Sequence, residues 1–273
     1  MAVTLADISK LRTMTGAGMM DCKNALTEAN NDFEKAIEII RKKGKAIAAK
    51  RSDREAAQGC VLAAAQDGFA AIVAIKCETD FVAKNADFIA LTQNVLNCAI
   101  ASKITDKDAL MAAQINGRSV SDLITDQSGV TGEKMELGYF ETVQGAQTVS
   151  YIHPGNMLAS IVALNEKIDE KEARTVAMQV AASAPVAITR EGVPAKMIET
   201  ELEVGKEKAR AEGKPEAMLD KIAQGRLNKF FQESTLLEQE FIMDNKMNVK
   251  AYLQSISKTL TVSDFKRVTL NQE

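Results

Sequence analysis

The sequence predicts an α+β protein: a small N-terminal three-helix domain, then a duplicated core of antiparallel sheets backed by helices, with an inserted helical hairpin. Three observations carry this. Apolar residues step at helical spacing through residues 4–43. The run Phe69-Ala-Ala-Ile-Val-Ala-Ile-Lys76 recurs as Leu158-Ala-Ser-Ile-Val-Ala-Leu-Asn165. Residues 195–231 carry a narrow apolar seam on two charged segments joined by a turn.

Leu5, Ile8 and Leu11 give the first helix its face, and Thr15-Gly16-Ala17-Gly18 breaks it. A second helix is predicted from about Met20 to Ala29. Asn30-Asn31-Asp32 turns the chain, with Asp32 as N-cap. Phe33, Ala36, Ile37 and Ile40 form the inner face of a third helix. About forty residues is little for independent stability, so this module is expected to lean on a neighbour or partner.

Each copy of the repeat follows a strand-like run and a tight turn. The first copy has Cys60–Ala65 and Asp67-Gly68; the second has Val149–His153 and Pro154-Gly155-Asn156. Both read as hairpins. Helical patterns follow, through Phe88, Leu91, Val95 and Ala99 in one copy and Val176, Met178, Val180 and Ala181 in the other. After its strand the first copy reads Glu78-Thr79-Asp80-Phe81, a turn that sets a carboxylate beside a phenyl ring. The second reads Lys167-Ile168-Asp169-Glu170, an ordinary charged turn. A duplicated scaffold with one decorated turn marks the decoration as functional.

Ile198, Leu202, Gly205 and Ala209, then Met218, Ile222 and Gly225, line the predicted hairpin seam around Glu212-Gly213-Lys214-Pro215. A hairpin too thin to bury itself is expected to contact a partner or a second copy. Val249–Ile256 reads as a short helix and Leu260–Leu270 as a closing strand. The expected units are 1–55, 56–140 and 141–273, with the hairpin inserted at about 195–231.

Composition restricts function. With 273 residues and 46% hydrophobic content, real cores form, although aromatics are 4% and Trp is absent. No stretch approaches the roughly 20 apolar residues of a membrane span. The start of the chain lacks a signal-peptide pattern, and Cys22, Cys60, Cys77 and Cys98 form no Cys-x-x-Cys pair. A cytoplasmic protein with reduced thiols is expected, without a structural metal. Net charge is −3, against a general nucleic-acid binder. The basic stretch from Arg41 to Arg54 reads either as a solvated helix end and linker or as a docking patch for an acidic surface.

Catalytic patterns are sparse. His153 is the one histidine, at a strand end before Pro-Gly. Thr15–Lys23 is glycine-rich before a helix but has neither P-loop nor dinucleotide-fold spacing. Cys22 beside Lys23 has no base in view. Of Met19 and Met20, neighbours about 100° apart on a helix, at least one is expected to be exposed as adaptable contact surface.

Leu11–Leu26, with its core Thr15-Gly-Ala-Gly-Met-Met-Asp-Cys-Lys23, and Cys77-Glu-Thr-Asp-Phe-Val-Ala-Lys84 resemble two signatures of the bacterial elongation factor Ts family. Tyr151-Ile-His153-Pro-Gly155 resembles its Tyr-x-His-x-Gly hairpin. The resemblance spans essentially the whole chain. It implies guanine-nucleotide exchange on elongation factor Tu, in its GDP-bound and nucleotide-free states, without covalent chemistry or a cofactor. It implies a first domain like ubiquitin-associated domains and a coiled-coil-like hairpin that supports a homodimer or 2:2 complex. Carried over by residue, Asp80 and Phe81, flanked by Thr79 and Val82, enter the GTPase near its magnesium site. Arg12, Met19, Met20 and Lys23 are the N-terminal contacts, and His153 belongs to the second subdomain's contact region. Lys50 or Arg51 adds to the GTPase contact.

Two departures stand out. Many relatives read Ile-Gly-Glu-Asn-Ile where this chain has Thr131-Gly-Glu-Lys-Met135, and paired arginines are replaced by Gly138-Tyr139. The extra C-terminal helix of some relatives is not expected. A competing class is an interaction module that binds ubiquitin-like or ribosomal partners through residues 1–55, or RNA through 41–54; the latter binding would weaken steeply with salt.

Overall fold

The computed structural model describes residues 2–271. It opens with α1 (Leu5–Thr15), α2 (Met19–Glu28) and α3 (Phe33–Lys50). Thr4 and Asp7 form a reciprocal capping box at the start of α1. Gly16 ends that helix at φ 70, a left-handed conformation that glycine adopts without steric cost. Asp32 caps α3 as expected, accepting from the Lys35 amide. Ile8, Leu11, Cys22, Leu26 and Ala36 form the module's core, with Phe33, Ile37 and Ile40 against it.

The basic stretch differs from its expected form. Helix α3 continues to Lys50, so residues 41–50 are helical and only the remainder links to the core. Beyond Ile40 the helix packs on a later element of the chain, a partner that the local apolar stepping does not reveal.

Strands β1 (Gln58–Gln66) and β2 (Phe69–Cys77) form a hairpin about Asp67-Gly68, both at positive φ. Next come α4 (Asp80–Ala83), α5 (Ala86–Ala101) and α6 (Lys107–Ala112). Strands β3 (Gln114–Ile115) and β4 (Arg118–Ser119) follow, then α7 (Val120–Thr131) and β5 (Glu136–Gln144). The second half repeats the theme with β6 (Gln147–Ile152), β7 (Leu158–Leu164) and α8 (Glu170–Ser183). After the hairpin helices α9 (Ala195–Ala211) and α10 (Glu216–Ser234) come β8 (Glu240–Phe241), β9 (Asp244–Asn248), α11 (Val249–Ile256) and β10 (Val262–Thr269).

The two main sheets are equivalent. In each, a hairpin gains a third antiparallel strand beside its second one: β1-β2-β5 and β6-β7-β10. The repeated sequence runs are the central strands β2 and β7. The sheets pack face to face through Val61, Ala63, Ala70 and Ile72 on one side and Ala159, Ile161 and Ala163 on the other. Phe88, Val95, Leu96 and Ile124 cover the outer face of the first sheet. Val176, Val180 and Leu253 cover that of the second. Both faces of β2 and β7 are therefore buried, which is why these strands read as continuous apolar runs rather than alternating ones.

The hairpin seam holds on α9, where Gly205 and Ala209 are buried. On α10 it lies one to two residues later than the spacing indicates: Leu219, Ala223 and Leu227 face inward, Met218 is exposed and Gly225 faces open space. Among the described residues no helix is long and apolar enough to cross a membrane.

Candidate partner-binding site

The segment after β2 is not an open turn. Thr79, in extended conformation, caps a single helical turn, its side chain accepting from the Val82 amide at 3.4 Å. Four residues cannot sustain a helix alone, because nucleation fixes several dihedrals per hydrogen bond gained. Two carboxylates hold this one from outside. Glu133, just past the left-handed Gly132 that ends α7, accepts from the amides of Glu78 (3.1 Å) and Thr79 (3.0 Å) and from the Thr79 hydroxyl (2.6 Å). Glu78 in turn accepts from the Lys134 amide (2.6 Å) and the Arg51 guanidinium (3.2 and 3.1 Å). Each carboxylate thus grips the backbone of the other's segment. The Lys134 amide, followed by the charge of Arg51, holds the Glu78 carboxyl below its ordinary range.

This clamp sorts the turn's side chains. Ala83 is buried and Val82 packs against the first core. Phe81 points outward, 84% exposed. Asp80 is paired with Lys84 at 2.7 Å, and that hydrogen bond lowers its carboxyl's pKa. The Cys77 thiol at the base is fully buried; burial first, and then the Glu133 charge, push it up to about 12. It is a closed-in thiol rather than a nucleophile. The sister position carries no such mount, since Asp169 caps α8 directly after the second repeat.

The N-terminal candidates lie on the first module. Met19 and Met20, at the start of α2, are both exposed, at 42% and 64%. Arg12 on α1 and Lys23 on α2 are exposed too. His153 is exposed in the β6–β7 turn, with Nδ1 3.1 Å from the Tyr151 hydroxyl. That turn reaches β1, where the Val61 amide donates to the Asn156 carbonyl at 2.7 Å. The candidates therefore occupy three places: the α1–α2 surface, α4, and the second sheet's turn. Arg51 joins the first two by tying the end of α3 to Glu78. It is held inward by Glu78, while Lys50 is exposed.

The basic stretch is extensively paired within the chain. Lys42 meets Glu38 at 3.0 Å, Lys45 meets Asp122 at 3.4 Å, and Lys43 bonds Asp21. That leaves less positive charge for a phosphate backbone than the sequence advertises.

Sequence reasoning missed Glu133 and the partner role of Glu78. A glycine C-cap followed by a carboxylate was visible at 132–133. The pairing across 54 residues with Thr79 was not, because nothing local encodes it.

Comparison with known proteins bears on the same segments. The family model described as Elongation factor TS matches residues 78–272, beginning at the clamp itself. A protein of Porphyromonas gingivalis named Elongation factor Ts is 62% identical over 274 residues, covering all of both chains. Proteins of the same name from Azobacteroides pseudotrichonymphae and Bacteroides fragilis are 50% and 44% identical, again covering both chains in full. With the family model matching residues 78–272 and these relatives covering the chain in full, the chain belongs to the elongation factor Ts family.

Proposed function

We propose that the chain accelerates nucleotide release from elongation factor Tu during translation, in the cytoplasm, without covalent chemistry. The observation that carries this is Phe81, a phenyl ring held in solvent on a helical turn that several half-buried bonds keep in place. Leaving it exposed forgoes roughly 1.5–3 kcal/mol of burial, a gain available when a partner supplies the pocket.

On this reading Phe81 enters an apolar crevice of the GTPase and shifts its structure. Asp80, displaced from Lys84, disturbs the polar network around the bound Mg²⁺, flanked by Thr79 and Val82. Loosening that ion weakens the hold on phosphate, since the metal neutralises its charge and orders the switch loops. By linkage, nucleotide weakens binding of the exchange factor by the same factor that the factor weakens nucleotide. Arg12, Met19, Met20 and Lys23 form a second contact surface, and His153 a third. We assign units at 1–55, 56–140 and 141–273, with the α9–α10 hairpin as the element that contacts a second copy or the GTPase.

The test is direct. Elongation factor Tu loaded with fluorescent GDP and chased with unlabelled GDP should lose its label much faster when the chain is added. An unchanged release rate would refute the exchange reading.

A further inference from the structure

The first module meets the core through a crossing of two glycines. Helix α3 leaves its own module after Ile40 and passes over α7, with Gly44 buried at the contact. A methyl on Gly44 would sit 3.5 Å from the Gly129 Cα, an ordinary contact. A methyl on Gly129 would instead overlap the Gly44 Cα and come within 3.2 Å of its carbonyl carbon. Backbones this close leave no room for a side chain from the α7 side. A second touch point lies nearby, where a methyl on Gly16 would meet Val130 at 3.8 Å. Around the crossing the charges are complementary. Lys45 on α3 meets Asp122 on α7, while Asp126 bonds Arg118 of its own side at 2.8 Å, and burial, outweighing the charges of Arg118 and Arg41, raises the Asp126 carboxyl above its ordinary value. Beside the crossing lies a cavity of about 520 Å³ between the module and α7. The module thus rests on α7 along the α3 crossing, with this cavity open beside it.

The same two helices lead to Phe81. Helix α7 ends at Gly132, the Ser128 hydroxyl bonds the Glu133 carbonyl, and the Glu133 carboxylate grips Thr79. Helix α3 ends beside Arg51, which grips Glu78. One crossing therefore lies between the surface of Met19 and Met20 and the mount of Phe81.

We infer that Gly129 is a positioning residue: its bare backbone lets α3 close on α7 at Gly44, which fixes the orientation of the N-terminal contact surface relative to Phe81, so that one partner engages both. This rests on the exchange reading above. The asymmetry of the crossing supplies its own control: Gly129→Ala must displace α3, whereas Gly44→Ala fits.

The experiment uses the full chain in two arms. In the first, spin labels at Thr27→Cys and Asn94→Cys, in a Cys98→Ala background, report the distance between the module and α5. Cys22, Cys60 and Cys77 are fully buried and stay unlabelled. Gly129→Ala should shift or broaden the distance distribution, and Gly44→Ala should reproduce the parent's. In the second arm, GDP release from elongation factor Tu is followed against concentration of the chain. Gly129→Ala should raise the half-saturating concentration at least fivefold with the plateau rate within twofold, because approach is misaligned while the wedge is intact. Gly44→Ala should match wild type.

A wild-type distance distribution for Gly129→Ala would overturn the inference, as would a shifted distribution with unchanged concentration dependence. If Gly129→Ala does not fold, Gly44→Leu forces the crossing apart from the other side and takes its place in both arms. Loss of folding in both variants would also overturn the inference, making the crossing a stability element. If the wild-type chain itself fails to speed release, the exchange reading falls, and the distance arm still decides whether the crossing sets orientation.

Discussion

Phe81 is 84% exposed while its neighbours Val82 and Ala83 turn inward, so the effect of removing the ring separates from folding. Phe81→Ala should leave the thermal midpoint within about 1 °C of wild type, as surface changes usually alter stability by no more than about 0.5 kcal/mol. It should slow saturated GDP release by roughly tenfold to a hundredfold, the rate equivalent of about 1.5–3 kcal/mol. Stopped-flow release measured at saturating concentration tests this, and a wild-type plateau would remove Phe81 from the exchange step. Glu133 has the opposite character. Its carboxylate accepts three bonds from Glu78 and Thr79, and Glu133→Ala leaves those donors without it, at about 1–3 kcal/mol. The amides of Val82 and Ala83 should then exchange hydrogen faster by tenfold or more, with the sheet amides little changed; uniform protection would show that the clamp does not hold α4. Glu78 adds a pH dependence. Its folded-state pKa is lowered, so its contribution is present above the ordinary glutamate value of about 4.3 and is lost as pH falls through the lower folded value. Glu78→Gln should flatten the stability loss below about pH 4.3, measured by urea unfolding across that range. The ring and its acidic neighbour were legible in the sequence as an odd pair. The clamp was not, because its two carboxylates lie far apart in sequence and look like ordinary surface charge.

Among the elements, those with a complete local signal were the ones that could be read. Asp32 and the Val249–Ile256 helix appear where the capping residues and spacing put them. The β3–β4 hairpin has the Asn116-Gly117 pair at positive φ that such turns favour, and Ser119 caps α7 three residues before Asp122. Both signals are local and short, and strands β3 and β4 hold only two residues each, too brief for a periodic pattern. The α10 seam shows a different failure. Met218 and Leu219, and Ile222 and Ala223, are adjacent apolar pairs, so local spacing does not choose between them. The facing helix decides: a methyl on Gly205 would lie 3.1 Å from the Ala223 Cα and 3.3 Å from its Cβ, which selects the small residue for the seam. Gly205→Leu should therefore force α9 and α10 apart. Overpacking of this kind costs about 1–3 kcal/mol, and limited proteolysis should cut the hairpin at least tenfold faster while the sheets stay protected. Equal cleavage rates would mean that the helices do not depend on this close approach.

At the scale of the molecule, the packing separates the first module from the rest. The three apolar clusters of the sheets and their covering helices contain no residue before Cys60. Residues 2–51 have their own core and meet the remainder at the glycine crossing, near Gly16 and Val130, and through Lys45–Asp122 and Arg51–Glu78. A chain lacking residues 1–51 should therefore still fold, with near-native sheet content by circular dichroism and a cooperative thermal transition. It keeps Phe81, the Glu133 hold and the Glu78–Lys134 bond, and loses Arg51 along with the Met19 and Met20 surface. The exchange reading assigns these losses to different kinetic quantities. Contacts made equally before and during nucleotide release govern how much factor is needed, whereas the wedge governs the rate once bound. Truncation should raise the half-saturating concentration by about tenfold to a hundredfold, or about 1.4–2.8 kcal/mol, with the plateau release rate within about threefold of wild type, the allowance for a clamp that has lost its Arg51 ion pair. A collapse of the plateau at unchanged half-saturation would reverse the assignment, placing the first module in the exchange step and leaving Phe81 as an anchor.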